Sequence, residues 1–175
     1  METILLITRV FFGLALAAHG SQKLFGWFGG HGLAGTGGFF EMLGFKPGHF
    51  YAAAAGLGEV GGGLLLAVGL FGPLGPAMMI TMMLVAALTV HVKHGFFSSD
   101  NGVEMPMLYA MAALFFAFSG PGIYSLDALL GMPWVADERL AWIAVVLAVF
   151  AALVNVAISR RAQASAAVVA AASPS

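Results

Sequence analysis

Arg9, His19 and Lys23 lie in a stretch, RVFFGLALAAHGSQKLFG, whose remaining residues are those of a membrane helix. Hydrocarbon does not tolerate such groups unless they face protein, water or one another. Arg9 and Lys23 are 14 residues apart, which places them within about 40° of each other on a helix turning 100° per residue. His19 lies four residues before Lys23, on the same face. A second set follows along the chain: Glu59 among glycines (GLGEVGGG), His91 and Lys93 at the end of an apolar run, Asn101 and Glu104 at the start of another, and Asp127 after it. Imidazole and ammonium groups can donate to a carbonyl or hold an oxyanion, and carboxylates can relay protons. Together these types are the material of an intramembrane polar site.

For such residues to act together, the elements carrying them must be spans. Of 175 residues, 61% are hydrophobic and 9% charged, far from the balance of a soluble domain. The apolar runs reach the roughly 20 residues that a bilayer-crossing helix requires. The composition therefore predicts an all-α, polytopic transmembrane helix bundle. Four spans are expected over residues 4–25, 50–71, 76–92 and 103–118, with a fifth, plain apolar one over 140–158. The domain organisation expected is a four-helix core over 1–130, an additional transmembrane helix within 131–159 and a disordered tail over 160–175. Residues 26–49 form a Gly-rich connection too broken to span; its piece GGFFEMLGF reads as interfacial or partly re-entrant. Its glycines are no phosphate loop, since no strand precedes them and no GK[ST] follows.

Up-and-down threading brings His19, Lys23, Glu59, His91, Lys93 and Glu104 towards one side of the bundle, with Glu59 about 13 Å below that surface. Arg9 lies deeper, and Asp127 on the opposite side is its expected structural partner, with Glu59 competing. Each residue also has a plain structural role open to it: Lys23 and Lys93 as snorkelling side chains, His91 and His94 as interfacial ones, Glu104 as a helix cap and Asp127 as a cap or structural partner. Basic residues flanking the spans (Lys23, Lys46, Lys93, Arg160 and Arg161 on one side, Arg139 on the other) put the N-terminus outside and the C-terminus in the cytoplasm. The absence of cysteine excludes a thiolate-held cluster or dithiol relay within the chain. A net charge of −1 gives no reason to expect nucleic acid as a partner. His19 and His91 on separate helices satisfy the minimum for bis-histidine haem, but histidines at bundle ends are commoner than haems, and no Glu-x-x-His pair suggests a metal site.

The arrangement resembles the DoxX family of small bacterial inner-membrane proteins. The resemblance runs over residues 5–130. It is carried by Arg9 with Gly13, by His19-Gly20-x-x-Lys23-Leu24-Phe25, and by the GGF-containing connection. Further along it is carried by Glu59 with its glycines, Asn101-Gly102-x-Glu104 and Gly122-x-Tyr124-Ser125-Leu126-Asp127. The family is typically four-helical, so the fifth helix departs from its pattern. Its name comes from a thiosulfate:quinone oxidoreductase with a related membrane subunit, and other members are linked to oxidative-stress complexes in the membrane. The resemblance thus implies a redox-associated subunit binding a quinone or a small anion. His19, Glu59 and Glu104 are the expected catalytic groups, and Arg9, Lys23, His91 and Asn101 the binding groups. Any turnover would be that of an oxidoreductase component working with partner subunits in the bilayer. A non-enzymatic scaffold of a larger membrane complex, with buried charges fixing helix packing, and a small transporter or proton pathway are the alternatives.

Overall fold

A computed structural model describes residues 1–172. Among them there are helices and turns and no strand. The principal helices are α1 (Glu2–Phe25), α2 (Gly32–Met42), α3 (Gly48–Val68), α4 (Leu74–Ala86), α5 (Glu104–Ser119), the single turn α6 (Leu126–Leu129) and α7 (Glu138–Ala172). Helix α4 runs on through a π-helical turn, Ala87–His91, and a 3-10 turn, Val92–His94. Four helices are long and apolar enough to cross a membrane: Glu2–Phe25, Gly48–Val68, Leu74–His94 and Glu138–Ala171. Helix α5 is apolar but shorter, at 16 residues. The chain is a multi-pass membrane helix bundle, and the large apolar side chains on its outside, such as Ile7, Phe11, Leu57, Phe115 and Leu147, face where lipid would be.

Glycine sets the closest approach. On α1, Gly13 and Gly20 stand seven residues apart and meet Gly63 and Gly56 of the antiparallel α3. A Cβ at Gly13 would lie 2.5 Å from the Gly63 carbonyl oxygen, and one at Gly20 2.5 Å from that of Gly56. With no lipid-excluding hydrophobic drive between spans, backbone proximity of this kind supplies the van der Waals contact that holds them. On another face of α3, Gly58 and Gly62 receive Met82 and Met78 of α4. The small-xxx-small spacing of those two glycines is thus filled by flexible methionines. The buried core, Leu16, Leu66, Met79, Ile80, Ala113 and Phe116, lies between α1, α3, α4 and α5, and α7 adds Ala148.

Two expectations change. The connection over 26–49 is mostly ordered helix: a 3-10 turn, Trp27–Gly29, then the 11 residues of α2, which pack on α3. Its Gly-richness gives way to the burial that neighbouring helices offer Thr36, Gly37, Leu43 and Phe45. The tail expected to be disordered from 160 is instead a continuation of α7 through Ala172. Alanine, which dominates this stretch, has the highest intrinsic helix propensity and prolongs a helix already nucleated within the span. Residues 173–175 of the expected tail lie outside the described residues. At 35 residues, α7 is about 52 Å long and exceeds the roughly 30 Å of a hydrocarbon core.

Candidate functional site

Lys23 closes α1, its ammonium held over α3, and forms an ion pair with Oε2 of Glu59. This is the only salt bridge among the described residues. The Glu59 side chain is 6% exposed and that of Lys23 27%, so the pair spans from the bundle interior to a partly open edge. A carboxylate inside an apolar helix must be paired or protonated, and the Gly20–Gly56 approach one turn away brings its partner within reach.

The pair forms part of the wall of a pocket of about 360 Å³. Phe39, Phe40, Leu43 and Phe45, from α2 and the turn after it, form one side. Tyr51, Ala54 and Ala55 of α3 and Thr81, Met82, Val85 and Thr89 of the α4 region form others, and Asn155 of α7 completes the ring. His91, last residue of the π-helical turn, also lines it. Such turns are rare and concentrate at functional sites, where they re-aim a side chain. Its Nδ1 lies 2.8 Å from the main-chain oxygen of Asn101. A carbonyl only accepts, so Nδ1 carries the hydrogen in that bond. The arrangement is that of a small-molecule site: a mostly apolar, aromatic cleft with few polar groups.

Helix α7 also braces this pocket. The buried Ser159 hydroxyl donates to the carbonyl of Leu43, and Gln163 Nε2 donates to the same oxygen at 2.8 Å. That carbonyl belongs to the residue capping α2, where helix carbonyls lack internal partners. Gly44, with φ +85°, lets the chain turn against α7; a Cβ there would lie 2.6 Å from the Ser159 carbonyl oxygen.

The other expected site residues fall elsewhere. His19 does not line the pocket. It is exposed on α1, 3.1 Å from Gln22 Oε1, with its ring edge-on to Tyr109. One turn along a helix was enough to separate it from Lys23, because a 100° step per residue leaves positions four apart offset by about 40°. Glu104 opens α5 without capping it; its side chain instead accepts from the Ser98 amide at 2.8 Å and ties the 95–104 turn together, outside the pocket. Asn101 contributes its main-chain oxygen to His91 rather than its side chain to a ligand; it sits at φ +63°, a region Asn tolerates better than most residues. The expected Arg9–Asp127 pair is not formed. Arg9, buried, donates instead to the carbonyls of Pro121 and Tyr124, the latter at 2.7 Å. Asp127 accepts from the amides of Phe71 and Gly72 at 2.9 and 2.7 Å. Arg9 ties α1 to the 120–125 loop and Asp127 ties α6 to the turn after α3: stranded carbonyls and amides take up most of each group's hydrogen-bonding capacity, and Arg9 Nε is left buried without a partner among the described residues. Glu59, the competing partner, is taken by Lys23.

Residue-type reasoning missed the aromatic wall, Asn155 and the Ser159–Gln163 brace. A signal for Asn155 exists: it is the one amide side chain in the otherwise apolar 140–158 run. Polar residues in spans usually face the bundle interior.

Fold and pocket define a small multi-pass helical membrane protein with an ion-paired, aromatic-lined intramembrane cleft. The DoxX family profile matches residues 4–92, half of the chain, and the protein belongs to the DoxX family. An uncharacterized protein of Haemophilus influenzae is 37% identical over 76 residues, covering 42% of this chain and 57% of that relative. The chain thus spans little more than half the length of the curated relative it matches. No solved structure matches it.

Proposed function

We propose that this protein is a redox-associated subunit of the bacterial inner membrane that binds a quinone headgroup in the Lys23–Glu59 pocket. The observation that carries the reading is an ion pair in the wall of a mostly apolar pocket that also presents the rings of Phe39, Phe40, Phe45 and Tyr51. Aromatic side chains offer faces to a flat ring, and the polar groups fix its oxygen substituents. Of the two ligand classes suggested by the family resemblance, quinone and small oxyanion, the pocket favours the first. Lys23 is the only lysine or arginine lining it, and Glu59 already neutralises that charge. A free oxyanion would meet no net positive charge and would have to displace a carboxylate. A quinone is neutral and reaches the site from the membrane phase. Its reduction or oxidation moves two electrons and two protons. Glu59 and His91 are the protonatable groups at hand, and the electrons pass to or from another component of the assembly. The excess of basic residues at the ends holding Lys23, Lys46, Lys93, Arg160 and Arg161 supports a cytoplasmic C-terminus and an external N-terminus.

Mass spectrometry of mildly solubilised protein tests the reading. Quinone should co-purify with the wild type and be lost from both Lys23→Met and Glu59→Gln. His19→Ala, outside the pocket, should retain it. Retention in both pocket variants would remove the site.

A further inference from the structure

The unused hydrogen-bonding valences of the pocket carry a preference between oxidation states. Glu59 accepts from Lys23 with Oε2, and its Oε1 has no partner among the described residues. His91 commits Nδ1–H to the Asn101 main chain, which in the neutral ring leaves Nε2 as a lone pair. Asn155 spends one amide hydrogen on the Ala151 carbonyl at 2.9 Å and keeps Oδ1 free. Thr89 gives its hydroxyl hydrogen to the Val85 carbonyl at 2.7 Å, so it too can only accept further bonds. Beside these acceptors the wall offers uncommitted donors: the two remaining Lys23 N–H groups, the Tyr51 hydroxyl and the second Asn155 amide hydrogen. A dicarbonyl ring accepts but cannot donate. It would satisfy those donors and leave Glu59 Oε1, His91 Nε2 and Asn155 Oδ1 facing a desolvated ligand without a hydrogen. A dihydroxy ring does both.

We infer that the pocket selects the reduced, hydroxyl-bearing form of its ring ligand, with His91 Nε2 and Asn155 Oδ1 accepting from ligand O–H groups. This rests on the quinone-pocket reading and adds to it the redox form that is held. Asn155 stands on α7, beyond the segment matched by the family profile, so the preference belongs to this chain's own architecture and not to the matched core alone. Sites built to accept a substrate hydroxyl discriminate strongly against analogues lacking it, because their buried polar groups are then left unpaired.

The experiment is calorimetric titration of the full chain in phospholipid nanodiscs, kept anaerobic, with a decyl-substituted benzoquinone and with its two-electron-reduced hydroquinone. The hydroquinone should bind about tenfold more tightly, the equivalent of one well-placed hydrogen bond. His91→Leu should bring the two affinities to within about twofold by weakening hydroquinone binding alone, and Asn155→Leu should move them the same way. His91→Gln, which keeps an acceptor, should restore part of the preference. Quinone binding as tight as or tighter than hydroquinone in the wild type would overturn the inference while leaving the pocket reading standing. Equal weakening of both forms by His91→Leu would also overturn it, since a merely structural histidine acts without regard to redox form. Failure of both forms to bind would sink the pocket reading itself.

Discussion

Lys23 and Glu59 do not depend on each other equally. Removing Lys23 leaves a carboxylate whose side chain is 6% exposed without its cation; removing Glu59 leaves an ammonium that is 27% exposed and can turn towards the interface. Breaking a fully buried pair from one side costs about 3–5 kcal/mol. Lys23→Met should approach that figure and Glu59→Gln should fall well short of it, as read by thermal unfolding in a fixed detergent. The double variant should be less destabilised than the sum of the two, the signature of a shared interaction. Arg9 belongs to the same scale. Its guanidinium forks to the Pro121 and Tyr124 carbonyls, and hydrogen bonds to charged groups are worth about 1.5–3 kcal/mol each. Arg9→Lys keeps the charge but not the planar fork, so it should lose most of that stabilisation and expose the 120–125 loop to protease. Equal protease resistance in wild type and Arg9→Lys would show that charge alone suffices.

At the scale of elements, the α1–α3 contact and the α7 brace decide whether the pocket exists. Gly20→Val places carbon against the Gly56 backbone, which cannot yield, and should separate the helices and unpair Lys23 from Glu59. Gly58→Ala meets only the Met82 methyl group, 2.6 Å away on a flexible side chain, and should be tolerated. Comparing the thermal stability of Gly20→Ala with that of Gly58→Ala separates packing from helix propensity, since both make the same replacement within a helix. On the other side of the pocket, Ser159→Ala with Gln163→Leu strips the Leu43 carbonyl of both donors. An unsatisfied buried acceptor costs about 1–3 kcal/mol, and amide hydrogen exchange around residues 43–46 should quicken accordingly. Unchanged exchange there would mean that α7 stands beside the pocket without holding it.

Across the whole molecule, topology follows from span count and charge, and the chain's lack of cysteine makes it directly measurable. With the proposed orientation, Lys46→Cys and Ser99→Cys should react with a membrane-impermeant thiol reagent from the cytoplasmic side, and Arg139→Cys from the opposite side. The reverse pattern would invert the proposed topology.

Hydropathy and the placement of ionisable residues determined, from sequence alone, that the chain is an all-α membrane bundle; they gathered His19, Lys23, Glu59, His91, Lys93 and Glu104 towards one side, and of these Lys23, Glu59 and His91 line one pocket. Lipid excludes unsatisfied backbone and unpaired charge, so long apolar runs become helices and charged residues deep within them, such as Arg9 and Glu59, turn inward. What sequence could not supply was partner choice. Arg9 and Asp127 look like a pair but serve separate loops, and His19 looks like part of the site but faces away from it, because a few tens of degrees of helix rotation decide each case. Asn155 and the Ser159–Leu43 contact, 116 residues apart, exist only once α7 is packed against the turn after α2. Only tertiary structure could decide them, since helix rotation and docking are fixed jointly by contacts between distant segments, with glycine-mediated approaches setting how near the backbones come.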